Sequence, residues 1–414
     1  MTSRTELRVS PRRSAVLISS VPGQLSGVEV ARLAAAGERP RAPYVEFASI
    51  LDADIIDAYH MTERATAPAR FVARRVGMTQ GQVAETFLRR GAFRHIVAFG
   101  DRLGLPLALL FKLMRSRRDL VLISDWLTRP EKAFFLRRLK VHSHLRAIVN
   151  NATLQREMAE RLLGVPAEKL HYAAPPVDDR FWVPKEVPVE RMICSVGLEA
   201  RDYSTLIAAV RGLDLDVHLA LGTAWLSPSG LVQRQATPPA DDGEEGEVPD
   251  FRLLKGSFSY GLYERLMSEI EQRGLPTNVK FVWPHVKALR RLYARSLFVV
   301  VPVQDVENAV GSTSMAEAMA MGKAVITTRS RGQDVIQHGE QGLCVPVGDA
   351  RALREAIEYL ATHPDEAARM GHAARAAVQR KHALDLYLAQ LVAVVEDSAA
   401  PGAYGRSILS KAKP

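Results

Sequence analysis

The stretch that most restricts the fold is residues 297–328, which runs apolar strand, polar loop, short helix and apolar strand with no room for anything else. Leu297 to Val303 is a β-branched run fit for burial on both faces of a sheet, and Ala324 to Thr328 is a second. Between them Gly311-Ser312-Thr313-Ser314 opens a helix that ends at Gly322. Two such runs joined by one helix demand parallel strands and a right-handed crossover. The helix start then points backbone N–H groups at one spot above the sheet, where an anion is favoured.

The same alternation recurs along the chain. In the first half, strands are expected at Ala15 to Ser20, 53–59, 95–100, 119–124 and 147–151. Helices are expected at 42–51, after Asp101, from Pro130 to Leu145 and from Thr153 to Leu163. Residues 170–184, with three prolines, read as a linker. Strands follow at 192–197, 216–222, 278–283 and 342–347, with helices between them and a final helical run over about 365–396. The expected fold class is α/β, with two doubly wound parallel-sheet domains. The first spans 1–184 and the second 185–385, with an acidic Pro/Gly-rich insertion over about 228–250 and a helix end and flexible tail over 386–414. Residues 1–13 are polar, Arg-rich and expected to be loosely attached.

Composition limits the partners. Hydrophobic content of 47% and charged content of 24% suit a soluble globular chain, and no apolar run approaches a membrane span. Cys194 and Cys344 lie inside apolar runs and read as core thiols, so the cytoplasm is the expected compartment. Charge is divided: residues 1–185 carry 30 Lys and Arg against 18 Asp and Glu, a net of +12, and the remainder a net of −3. A basic first half suits anionic lipid, a phosphorylated acceptor or nucleic acid, but no nucleic-acid recognition motif accompanies it. From Arg129 to Arg146 aromatic and leucine residues interleave with Lys132, Arg137, Arg138 and Lys140. That run is either an ordinary helix packed on the sheet or a membrane-surface face.

With the second half laid out, the pieces "AEAMAMGKAVITT", "GQDVIQHGEQGLCVPVGD", "VGLEARDYSTLIAAV" and "FVWPHVKALRRLYARS" together resemble the retaining glycosyltransferases of the family-4 type. The resemblance is strong over about 190–385 and weak over the first 140 residues. It implies the GT-B architecture, two Rossmann-like domains facing a cleft, and a nucleotide-diphosphate sugar (UDP-, GDP- or ADP-sugar) as donor, with no cofactor.

On that resemblance Glu317 matches the second Glu of a Glu-x7-Glu motif and binds the donor ribose. Gly311, Ser312, Thr313 and Ser314 face the diphosphate, Gly197 and Arg201 form the phosphate loop, and Trp283, His285 and Val286 border the base. Three departures stand out. Ala309 occupies the place of the first Glu, with Glu307 two residues further off; Leu198 replaces the arginine after the loop glycine; and Asp125 stands where a histidine often faces the sugar. Asp125, Glu307 and Arg201 are the candidate catalytic groups, although Asp125 and Glu307 are equally well read as loop polarity. Asp101 is a similar case, a strand-end carboxylate able to cap the next helix.

Charge develops on the leaving diphosphate during transfer, and fixed N–H, hydroxyl and guanidinium donors stabilise it. No Asp-x-Asp pair stands out as a metal clamp, so a metal-independent reaction is expected. The expected acceptor is a hydroxyl on a glycan or lipid-linked molecule, reached by a protein lying on the inner face of the membrane. The rival expectations are a degenerate binding module and a GT-B sugar-nucleotide epimerase.

Overall fold

The computed structural model describes residues 13–20, 24–221 and 258–396. The loosely attached N-terminus, the acidic insertion and the C-terminal tail expected from sequence lie outside the described residues.

Two six-stranded parallel sheets form the frame. The first contains β1 (Arg13–Ile18), β2 (Ala53–Ile56), β3 (Phe93–Phe99), β4 (Leu120–Ser124), β5 (Ala147–Asn150) and β6 (Leu170–Tyr172), in the order β2-β1-β3-β4-β5-β6. The second contains β7 (Met192–Val196), β8 (Asp216–Ala220), β9 (Val279–Val282), β10 (Val299–Val301), β11 (Val325–Thr328) and β12 (Gly342–Val345). Its order is β12-β11-β10-β7-β8-β9, the doubly wound arrangement. The direction of winding reverses between β7 and β10, so the crevice beyond their carboxyl ends is where such a sheet takes a ligand.

Both faces of each sheet are covered, which is why the strands read as unbroken apolar runs. Ala15, Leu17, Ile96, Leu120 and Ile148 enter one core of the first sheet, while Val16, Val97, Val121 and Val149 enter the other. Cys194, Val196, Val299 and Val301 face one core of the second sheet, and Ile193, Val217, Leu219 and Val300 the opposite one. Both cysteines are buried and unbridged, as their apolar settings implied.

In the first unit the helices are α1 (Gly27–Ala35), α2 (Pro43–Ile50), α3 (Ala58–Glu63), α4 (Ala67–Arg75), α5 (Met78–Leu88), α6 (Asp101–Leu113), α7 (Pro130–Arg137) and α8 (Thr153–Arg161). The helices α9 (Tyr203–Val210), α10 (Phe258–Arg273), α11 (Val286–Arg295), α12 (Ser312–Ala320), α13 (Ala350–Thr362) and α14 (Pro364–Ala377) flank the second sheet, and α15 (Leu384–Glu396) ends the described chain.

Several boundaries differ from the sequence expectation. The strand expected over 53–59 stops at Ile56 because the Asp57 side chain accepts from the His60 amide and starts α3. The helix expected from Pro130 to Leu145 ends at Arg137; Lys140 takes a left-handed φ of 46°, and Val141–His144 is a separate 3-10 turn. The linker is shorter than 170–184, since Leu170–Tyr172 pairs with β5 as the sixth strand.

The final helical run is not a tail of the second domain either. After α14 a π turn (Val378–His382) redirects the chain, and α15 buries Leu384, Tyr387, Leu388, Leu391 and Val392 against the first sheet. Among the described residues, 384–396 therefore pack with the first sheet and not with the second.

Two segments thus cross between the units, and they run side by side. Val177 donates its amide to the His382 carbonyl (2.8 Å), and Leu384 donates to the Val177 carbonyl (2.9 Å). Arg41 ties both crossings to the first unit: its Nε donates to Asp178 (2.9 Å) and its Nη1 to Asp385 (2.7 Å). The Asp178 side chain is only 3% exposed. Removing one partner of such a pair leaves an uncompensated buried charge. Arg41→Ala should lower unfolding free energy by roughly 3–5 kcal/mol, read as a lower urea midpoint, whereas an unchanged midpoint would show that the pair does not anchor the crossings.

Candidate functional site

The carboxyl ends of the two sheets face each other. From the first sheet come Asp125, Trp126 and Thr128, in the loop after β4, and Gln155 on α8. From the second come the β7–α9 loop, the β10–α12 loop and residues 330–334 after β11.

The β7–α9 loop is built around one arginine. Arg201 is buried and donates from Nε to the Val196 carbonyl (2.9 Å), from Nη1 to the Glu199 carbonyl (2.9 Å) and from Nη2 to Ser314 Oγ (3.1 Å). Ser314, on α12, passes its own hydroxyl hydrogen to the Val196 carbonyl (3.2 Å). Gly197 is required here twice over: its φ is 101°, and a Cβ would lie 2.5 Å from Arg201 Nη2. The Gly197 carbonyl also accepts from the Tyr203 hydroxyl. Arg201 and Ser314, expected to face a diphosphate, are instead turned inward and bind the loop to α12.

Along 311–314 the residues divide. Gly311 caps α12 with a left-handed φ of 84°, Ser312 and Ser314 are buried, and Thr313 is exposed. The exposed side-chain hydroxyl of this run is therefore that of Thr313. Glu317 lies on the buried side of the same helix, with no exposed surface. Its Oε2 accepts from the Tyr293 hydroxyl of α11 at 3.0 Å, and its Oε1 has no hydrogen-bond partner. Burial pushes this acid up to about 8, against the opposing pull of Tyr293 and Arg201.

Glu307 meets the first unit. Its Oε2 accepts from Thr128 Oγ1 (2.8 Å), and its backbone carbonyl accepts from Gln155 Nε2 (3.2 Å). Arg331 lies 3.4 Å from its other carboxylate oxygen. The loop is held from beneath as well: Val306 donates to Ser330 Oγ (3.0 Å), and a Cβ on Gly332 would fall 2.2 Å from the Asn308 carbonyl oxygen. A second bridge joins the units where Thr153 donates its amide (3.1 Å) and hydroxyl (2.8 Å) to Asp334.

Asp125 is open to the cleft but crowded on the protein side. Loss of solvent, then repulsion from Asp101 and Glu199, raises its acid to about 7, with Lys132 pulling the other way. Asp101 itself is committed to Lys132 at 2.6 Å. Beside Asp125, the Arg129 guanidinium covers the Trp126 ring at 4.4 Å.

In the base loop, Trp283 is half-buried with its Nε1 buried and unpartnered, and lies 6.4 Å from the Phe281 ring. His285 caps α11, its Nδ1 accepting from Ala288 N at 3.5 Å, and Val286 is the first residue of that helix. A cavity of about 180 Å³ opens beside Arg201 between α9 and α10, lined by Leu198, Asp202, Ser204, Tyr263, Glu269 and Gln304. The base loop does not line it.

Thr128, Gln155, Asp334 and Tyr293 carried no signal in the sequence, because each acquires its partner only through the docking of distant segments. Glu199 sat inside the quoted phosphate loop, and its charge alone pointed to the cleft.

The buried acid gives a pH test. Native Glu317 keeps its proton where the unfolded chain, at an ordinary value near 4.5, has lost it. Stability therefore falls as pH rises from about 4.5 through about 8. Glu317→Gln removes that slope, so its urea midpoint relative to wild type should shift upward between about pH 5 and pH 8.5. A pH-independent difference would place the carboxylate in solvent.

Comparison with known proteins agrees with this layout. Residues 256–377 match the family model of glycosyl transferases group 1. No curated protein sequence matches the chain. Among solved structures, Anabaena Alr3699/HepE in complex with UDP-glucose superposes with a TM-score of 0.63 at 14% identity, covering 92% of this chain and 99% of that one. Sucrose-phosphate synthase from Thermosynechococcus elongatus gives 0.63 at 17% identity, covering 93% and 99%. The lipopolysaccharide outer core galactosyltransferase WaaB gives 0.55 at 10% identity, covering 93% and 99%. The chain has the GT-B fold, and residues 256–377 of its second half match glycosyl transferases group 1.

Proposed function

We propose that this protein is a retaining glycosyltransferase of the family-4 type, moving a sugar from a nucleotide-diphosphate donor to a hydroxyl on a glycan or lipid-linked acceptor. The observation that carries the proposal is the crevice at the β7/β10 reversal, which receives the start of α12, a helix inside the stretch 256–377 that matches glycosyl transferases group 1. The HepE complex with UDP-glucose supports a sugar nucleotide as donor, a UDP-, GDP- or ADP-sugar.

In this reading the amides at the start of α12 and the Thr313 hydroxyl stabilise the leaving diphosphate. Trp283, His285 and Val286 border the base. Gly197 and Arg201 shape the floor of the phosphate site instead of touching it first. A ribose contact by Glu317 requires its carboxylate to leave Tyr293 as the donor enters. Asp125, ionised, faces the positive charge that grows on the sugar, and Glu307 holds the facing loop in register. The leaving phosphate takes the acceptor proton, so no metal or protein nucleophile is assigned.

Donor cleavage tests the proposal. A UDP-, GDP- or ADP-sugar should be hydrolysed slowly without acceptor, at an unchanged rate in EDTA, and should raise the melting temperature by mass action. Asp125→Asn should lower kcat by about 10²-fold or more and abolish a rise in rate through about pH 7. A second reading, a binding module without turnover, is favoured by Ala309 in the first-Glu place and by the inward Arg201 and Glu317. Thermal stabilisation by a sugar nucleotide with no cleavage of any donor would select it, and conversion to an isomeric sugar nucleotide would select an epimerase.

The first unit is further proposed to meet an anionic membrane surface from the cytoplasmic side. On α7 and just beyond it, Phe134 (53% exposed), Arg137 and Arg138 face outward, while Leu136 is buried. Among the described residues no helix is long and apolar enough to cross a membrane. Binding to anionic vesicles should weaken with salt and with Arg137→Glu/Arg138→Glu; equal binding to neutral and anionic vesicles would overturn this part.

A further inference from the structure

The amino ends of β4, β5 and β6 lie at the edge of the first sheet opposite the cleft. Three short segments meet there: Arg117 to Asp119 before β4, Ser143 to Arg146 before β5, and Lys169 before β6. They line a cavity of about 300 Å³. Arg117, Arg118, Arg146 and Lys169 bring four cations to it, and His144 a fifth titratable nitrogen group.

The lining has one carboxylate, and it is already shared. Asp119 is paired with both His95 and Arg146. Lys169 is fixed by donation to the His142 and Leu145 carbonyls, each at 2.8 Å. Arg117 and Arg118 meet no carboxylate among the described residues, and Arg118 Nε is buried without a partner. The excess is felt nearby: His142 is held below the ordinary histidine value first by burial and then by Lys169, Lys112 and Lys140, and His144 first by burial and then by Arg117, Lys112 and Lys169. A cavity whose cations outnumber its single, doubly paired carboxylate lacks a counter-ion.

We infer that this cavity is an anion site for a phosphate group, with Arg117 and Arg118 as its principal donors. Planar guanidinium groups suit phosphate oxygens through paired N–H donation. The rim favours a phospholipid headgroup as the source. Leu113 (67% exposed) and Met114 (61% exposed) end α6 just before Arg115 and Arg117, so apolar side chains and cations share one edge. This site is remote from the cleft and independent of the transfer reaction proposed for it.

Isothermal titration with inorganic pyrophosphate, on wild type and on Arg117→Gln/Arg118→Gln, tests the site. Pyrophosphate held in the cleft persists in the variant, so the difference between the two proteins is the reading. A loss of about tenfold or more in one binding component is expected, because two charge-assisted contacts disappear. Co-sedimentation with vesicles of about 30% phosphatidylglycerol in phosphatidylcholine, against pure phosphatidylcholine, identifies the source. Loss of anionic-vesicle binding in both Arg117→Gln/Arg118→Gln and Leu113→Ser/Met114→Ser assigns a headgroup. Retained vesicle binding with lost pyrophosphate binding assigns a soluble phosphate compound. Identical pyrophosphate titrations in wild type and a variant with an unchanged melting temperature would overturn the site.

Discussion

The Arg201 side chain holds the carboxyl edge of the second sheet in one arrangement. Its three donated bonds go to the end of β7, to the following loop and to α12, so a single guanidinium joins β7 to the helix that follows β10, on either side of the point where the sheet reverses. Buried with only polar neighbours to compensate it, the group is costly unless every one of those acceptors is in place. Gly197 makes the geometry possible, since any side chain there would occupy the guanidinium's position. The loop shape, the start of α12 and the direction of the crevice all follow from that one contact.

A second constraint acts across the cleft. Glu307 and Asp334 belong to the second domain but accept from Thr128, Gln155 and Thr153 of the first. Together with the paired crossings at Val177 and Leu384, these contacts fix the separation between the two sheets. Opening the cleft requires exchanging a few side-chain hydrogen bonds for water, a modest cost per bond. The crossings, in contrast, are tied by the nearly buried Arg41–Asp178 pair and form the stiffer end of the joint.

Much of the second domain was legible because its information is local. The apolar runs around Val299 and Val325, the glycine at 311 and the glycine at 322 each specify their own element, and their order dictates a parallel crossover. The first domain was less legible at α5, whose helical periodicity is weak, and at Lys140, whose left-handed turn splits an otherwise continuous helical pattern. The site residues followed the same division. The positions of Gly311, Thr313 and Asp125 at element ends were readable, whereas the directions of their side chains were not.

Sequence alone determined the α/β class, the two parallel sheets, the position of the helix start after β10 and the uneven charge of the two halves, because each depends on periodicity or composition within a short span. Tertiary structure decided what those elements touch. Glu317 became a buried acid only because α12 packs with that face toward Tyr293 of α11. Residues 384–396 joined the first sheet only because the π turn after α14 redirects the chain. Arg201 turned from ligand-facing to loop-holding because Ser314 and two carbonyls lie within its reach. Such choices depend on contacts between residues far apart in the chain, and no local pattern encodes them.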